Sequence, residues 1–166
     1  MSPLDLSKLS GPDIVTALRS YPRRYRSAIL PVNDPETEER AYRIGPAGHS
    51  AVELVAHAGN TFVLLGQALR QVLTGDDPVL HPGVGDPAER DWPAVAGQTV
   101  EDALDRFRDE AEALAAAVDG LHLPESNRTG RVAGGQPLRA LDIAKEAVRV
   151  GAEDLDAIKA TLAAVS

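Results

Sequence analysis

Residues 50–73 read SAVELVAHAGNTFVLLGQALRQVL. Ser50 and Glu53 stand in the S-x-x-E spacing of a capping box. In that arrangement the serine hydroxyl accepts from the backbone N–H three residues on, and the glutamate accepts from the serine's own N–H. Val55, Ala58, Phe62, Leu65, Leu69 and Val72 then recur at alternating spacings of three and four. That is the seam of a helix packed along its whole length. Thr74 and Gly75 end it. The stretch predicts one long amphipathic helix, and it carries His57 in its second turn.

Working outward, the same signals recur. Ser10 is placed to cap a first helix over residues 13–30, with Pro12 tolerated at its start and Asp13 favourable near the positive end of the dipole. Ile14, Val15, Leu18, Tyr21, Tyr25, Ala28 and Ile29 form its apolar face. Pro22 lies inside the pattern and is expected to kink the helix or split it. Residues 31–48 read as a polar connector with Pro31, Pro35, Gly45, Pro46 and Gly48, with a turn of helix near residues 36–42. Thr99 opens a third helix whose seam is Val100, Leu104, Phe107, Ala111, Leu114, Val118 and Leu121, closed by Gly120. Residues 124–135 read as a loop. A fourth helix starts near Pro137 and runs to the end on Leu141, Ala144, Val148, Gly151, Leu155, Ile158, Leu162 and Val165. A glycine on that seam costs about 1 kcal/mol of helix propensity. Gly151 is therefore expected to admit a neighbouring backbone or a bulky side chain.

Between the second and third helices lies DDPVLHPGVGDPAERDWPAVAGQ, residues 76–98. A connector of this length inside a compact domain is uncommon. It can run the full length of a bundle, so the two helices it joins are expected to point the same way. Trp92, the one tryptophan, is expected to be the apolar anchor that pins it. Four seamed helices in 166 residues predict an all-α four-helix bundle forming a single domain over residues 1–166. Aromatic residues make up 4% of the chain, which favours thin helical packing units over a β-sandwich.

Composition narrows the function. A net charge of −8 and a pI near 4.9 argue against nucleic acid and anionic membranes as partners, both of which need a basic surface. Without cysteine there is no disulfide, thiolate metal site or cysteine nucleophile. No apolar run approaches the roughly 20 residues of a membrane span. The N-terminal MSPLDLSKLSG lacks a signal peptide's basic and apolar regions, so a cytoplasmic protein is expected. An acidic bundle with a seam on every helix is expected to pair as a homodimer through a helix face.

The chemistry-bearing residues are few. His57, at the margin of the seam, is either a metal ligand or a hydrogen-bonded histidine at a helix boundary. His49, Glu53 and His57 share the i, i+4, i+8 spacing of a stripe, but the capping box takes Glu53 and leaves His49 outside the helix. His81 and His122 read as exposed loop residues. Gly134-Gly135, ahead of the fourth helix, is a weak signal for an anion at a helix N-terminus. The acidic pairs Glu101/Asp102, Asp109/Glu110 and Glu153/Asp154 read as solvated faces, as does the cluster of Arg23, Arg24 and Arg26. None of the catalytic or phosphate-binding motifs H-E-x-x-H, G-x-S-x-G, P-loop or G-x-G-x-x-G is present.

GHSAVELVAHAGNTF, the DWP of residues 91–93 and the final AVRVGAEDLDAIKATL together resemble the DinB/YfiT-like superfamily. That group includes the mycothiol-dependent maleylpyruvate isomerase-like and bacillithiol-transferase proteins. The resemblance implies a four-helix bundle in up-down-down-up order. It also implies a metal site of three histidines, one on the second helix and an H-x-x-x-H pair on the fourth. His57 matches the first position. The pair falls on Val150 and Asp154, and the fourth helix contains no histidine. Valine cannot coordinate a metal, and a carboxylate with one imidazole is a poor substitute for three histidines. The resemblance therefore implies a degenerate member with its metal lost. His57, Val150 and Asp154 are left lining a pocket for a small molecule, with Asp154 able to pair with His57. No cofactor is expected on this view, and the role is non-catalytic binding of a small ligand or partner. The alternative keeps His57 and Asp154 as partial ligands of a divalent metal, Zn or Ni, in a thiol-dependent transferase or isomerase.

Overall fold

The structure, a computed structural model, describes residues 5–31 and 36–166. The first four residues, and Pro35 with its neighbours in the first connector, lie outside the described residues. Four long helices carry the core: α1 (Gly11–Ile29), α3 (Ala51–Thr74), α4 (Val100–Asp119) and α5 (Ala140–Ala164). A single turn, α2 (Thr37–Arg40), sits in the first connector. The expected capping box of Ser50 with Glu53 forms at the start of α3, and Ser10 forms a second with Asp13 at the start of α1. Thr99 caps α4 by accepting from the Asp102 N–H.

Helices α1 and α3 each pack on α4 and α5. Cross-helix contacts give the running directions. Arg19 meets Glu112 while Arg26 meets Glu101, so α1 and α4 are antiparallel. The Tyr21 hydroxyl donates to the Val148 carbonyl and the Tyr25 hydroxyl to the Gly151 carbonyl, each at 2.7 Å, so α1 and α5 are parallel. Gly59 lies against Phe107 and Gly66 against Leu114, so α3 and α4 are parallel. Taken in chain order, the long helices run up, down, down, up. The long connector between α3 and α4 is what permits the parallel pair.

At the centre Tyr25 stacks on Phe107 with ring centroids 4.2 Å apart, and Phe62 closes on Phe107 at 5.4 Å. All three are essentially inaccessible to water. Burial pushes the Tyr21 phenol up to about 12 and, together with the nearby Asp154 carboxylate, holds the Tyr25 phenol well above its ordinary range. Both tyrosines therefore remain hydroxyl donors to α5. They flank Pro22, and α1 continues through that proline without the break its position suggested. Two hydroxyls bonded to one neighbouring helix fix the course of α1 on either side of the missing donor.

Two expectations are corrected here. Residues 76–98 and 124–135 are not wholly irregular. They contribute β1 (Val79–Leu80) and β2 (Thr129–Val132), which pair in parallel, and β3 (Pro137–Arg139) pairs antiparallel with β2. This small sheet packs on the end of α3 through Gly130, where a side chain would meet Val72 and Leu80. Because residues 137–139 are strand, α5 begins at Ala140 and not at Pro137. Gly134-Gly135 consequently lies in the β2–β3 turn, where Gly134 takes φ +76° and the Gly135 N–H donates to Val132, away from any helix N-terminus. The expectation for Gly151 holds. A Cβ there would stand 2.3 Å from the buried Tyr21 ring.

Replacing Gly151 with alanine should therefore destabilise the protein by about 1–3 kcal/mol, the usual range for overpacking. The gain in helix propensity works the other way. Denaturant unfolding checks this, and a Gly151→Ala variant as stable as the parent would contradict it.

Candidate functional site

The candidate site lies where α3, α5 and the long connector meet. His57, in the second turn of α3, holds its Nδ1 2.8 Å from Asp154 Oδ2 on α5. The two side chains are only 12% and 13% exposed. A carboxylate accepts and cannot donate, so Nδ1 carries the proton of this bond. No partner bonds Nε2, and no buried polar side-chain atom among the described residues lacks a partner, so Nε2 reaches solvent. The Thr61 hydroxyl donates to the His57 carbonyl one turn on. Val150, one turn before Asp154 on α5, is buried. The three residues singled out in the sequence thus occupy facing parts of α3 and α5.

His49 precedes the helix and its Nδ1 lies 3.3 Å from Glu53 Oε2. Glu53 also accepts from the Ser50 backbone, so the cap and the histidine share one carboxylate. Between the two histidines stands Trp92. Its ring centroid is 3.4 Å from that of His49, with planes 7° apart, and 4.2 Å from that of His57, with planes 20° apart. Two imidazoles that close to one indole would collide on a shared face, so they lie on opposite faces and Trp92 is sandwiched.

Trp92 is 42% exposed and meets the bundle through the two imidazoles, outside the core. Arg90 anchors the connector more deeply. It is 7% exposed, its Nε donates to the Gly83 carbonyl at 2.6 Å, and its guanidinium pairs with Glu146 of α5 at 3.0 Å. Arg149 also pairs with Glu146. Burial alone would raise the Glu146 carboxyl, but its bonds to Arg149 and Arg90 outweigh that and hold it below its ordinary value. The sequence offered no local sign of this role for Arg90, since its partner lies 56 residues away. Beside this anchor, a cleft of about 180 Å³ opens between α3 and the connector, lined by Asn60, Thr61, Leu64, His81, Arg90 and Asp91.

The remaining candidates lie elsewhere. His81 is exposed and caps a turn by accepting from the Gly83 N–H; His122 is exposed. Arg24 lies over the Tyr21 ring and Arg26 pairs with Glu101 and Asp105. Glu101 is thereby engaged, and Glu153 pairs with Arg149.

The metal implied by the resemblance does not fit these residues. Val150 offers no donor. Asp154 sits on the Nδ1 edge of His57, the place of an outer carboxylate that orients a histidine, and not beside Nε2, where an ion would bind. Among the described residues no group of three or more His, Cys, Asp or Glu side chains is arranged to hold a metal ion.

No protein-family model matches the chain, and no curated protein matches it in sequence. In structure the chain takes a known four-helix-bundle fold. A solved structure it resembles is YfiT from Bacillus subtilis, described as a probable metal-dependent hydrolase with an unusual four-helix bundle topology. The two superpose with a TM-score of 0.74 over 97% of this chain and 90% of that one, at 14% identity. At that identity the likeness establishes the fold alone. No helix among the described residues is long and apolar enough to cross a membrane.

The Arg90–Glu146 pair gives the acid limb of stability a specific source. A carboxylate whose folded pKa is depressed contributes fully above its unfolded value and loses that contribution as pH falls through the folded one. Glu146→Gln should cost about 1–3 kcal/mol at neutral pH, because Arg90 stays buried with a weaker partner. The gap from the parent should close below about pH 4.5, the ordinary glutamate value. Thermal melts across pH 3–7 read both, and a pH-independent gap would contradict the assignment.

Proposed function

We propose that this chain is a non-catalytic member of the DinB/YfiT-like bundles that binds a small organic molecule at the His57 end of the bundle, without a metal centre. One observation carries this: Asp154 is spent on orienting His57 while Val150 takes the remaining ligand position. The half-buried imidazoles, the indole and the adjoining cleft supply the mix of flat apolar surface and few polar groups that small-molecule sites use. The acidic charge supports a cytoplasmic protein that avoids nucleic acid and anionic membrane surfaces. Homodimerisation completes the proposal, and light scattering that gives a mass near 17.5 kDa would overturn that part of it.

A second reading has one observation in its favour. His57 and Asp154 do meet, as partial ligands of a divalent metal would, in a fold whose solved representative is described as a probable metal-dependent hydrolase. On that reading the protein transfers or isomerises with a low-molecular-weight thiol such as mycothiol.

Elemental analysis separates the two. The purified protein should carry well under one transition-metal ion per chain, and chelator should leave its melting temperature unchanged. Stoichiometric metal, with stability lost on chelation, would overturn the ligand-binding proposal. Thiol-transfer activity abolished by His57→Ala would establish the second reading.

A further inference from the structure

We propose that the space filled by Trp92 is a binding slot for a flat aromatic ring, with His49 and His57 as its walls and Trp92 as its built-in occupant. The inference rests on the ligand-binding reading above and names the class of ligand.

The walls are held independently of what lies between them. His57 is fixed by Asp154 across the bundle, and His49 by Glu53, whose carboxylate is itself fixed in the capping box of α3. Both imidazoles lie within 20° of the indole plane, on opposite faces, leaving between them the thickness of one aromatic ring. Imidazole and indole rings meet through their flat faces, so the slot favours a flat aromatic ring over a saturated one.

The occupant is held differently. Trp92 follows the Arg90 anchor by two residues and precedes Pro93 in a stretch outside helix and sheet. Its indole N–H bonds no side chain or carbonyl among the described residues. Its place therefore depends on stacking against the two imidazoles. Because Arg90 anchors the connector separately, Trp92 can leave without undocking residues 76–98. The adjoining cleft at Asn60, Thr61 and Asp91 offers polar groups to substituents on an incoming ring.

Indole serves as the probe. A ligand that competes with a built-in occupant binds more weakly by the fraction of time the slot is open. Trp92→Ala should bind indole about tenfold more tightly than the parent in calorimetry. Binding should shift the Cε1–H proton resonances of both His49 and His57, since a ring lands on both. Adding His49→Ala should weaken it about three- to tenfold, the worth of one stacked pair. In the intact protein, 5-fluorotryptophan at the one tryptophan gives a single fluorine resonance, and saturating indole should move it toward the free-solvent position. The inference is overturned if cyclohexanol binds Trp92→Ala as tightly as indole does. It is equally overturned if indole leaves both histidine signals or the fluorine signal in place. Metal content measured on the same samples keeps the outcomes apart: stoichiometric metal defeats the ligand-binding reading, whereas metal-free protein that ignores indole defeats the slot alone.

Discussion

The hydrogen bond between His57 and Asp154 decides how this end of the bundle is used. It joins α3 to α5 across 97 residues of chain, at 2.8 Å, with both groups mostly withdrawn from water. A hydrogen bond so placed is expensive to break, because removing one partner leaves the other buried and unsatisfied. The bond also fixes the imidazole's orientation: Nδ1 inward on the carboxylate, Nε2 outward. The ring face is thereby set for Trp92, and through Trp92 for His49. His49, Trp92 and His57 thus form a short stack of flat rings held at each side by a carboxylate.

The rest of the fold delivers these groups. Tyr21 and Tyr25 lock α1 to α5 at the level of Gly151, the one position on that seam where the Tyr21 ring can lie against backbone. With α5 placed, Asp154 faces α3. The parallel pairing of α3 and α4 obliges residues 76–98 to travel back along the bundle. That path carries Arg90 onto Glu146 and Trp92 to the mouth of the site. The buried guanidinium is satisfied by a carbonyl and a shared carboxylate, the condition under which a charge is tolerated there.

Much of the architecture was legible in the chain because it is written locally. The S-x-x-E box, the alternating seams and Gly151 all act within a turn or two of helix, and each appears where periodicity and capping chemistry put it. The small sheet was not legible. Its strands are two to four residues long, one of them between Pro78 and Pro82, too short for an alternating pattern. The start of α5 was misplaced for the same reason, since Pro137 reads equally well as a helix start and as an edge-strand residue. At the site, His57 and Asp154 came from the resemblance to a known pattern, and Glu53 from its cap. The anchoring role of Arg90 and the sandwiching of Trp92 came from neither. Both depend on the path of a connector whose partners are remote in sequence.

The central claim is that His57 answers to Asp154 and to an aromatic ring, not to an ion. A crystal structure of the protein grown with millimolar Zn²⁺ or Ni²⁺ tests this most directly. The account predicts no ion within bonding distance of His57, with Nδ1 still on Asp154 and Trp92 still between the two imidazoles. An ordered ion held by both His57 and Asp154, with Trp92 displaced to make room, would contradict it.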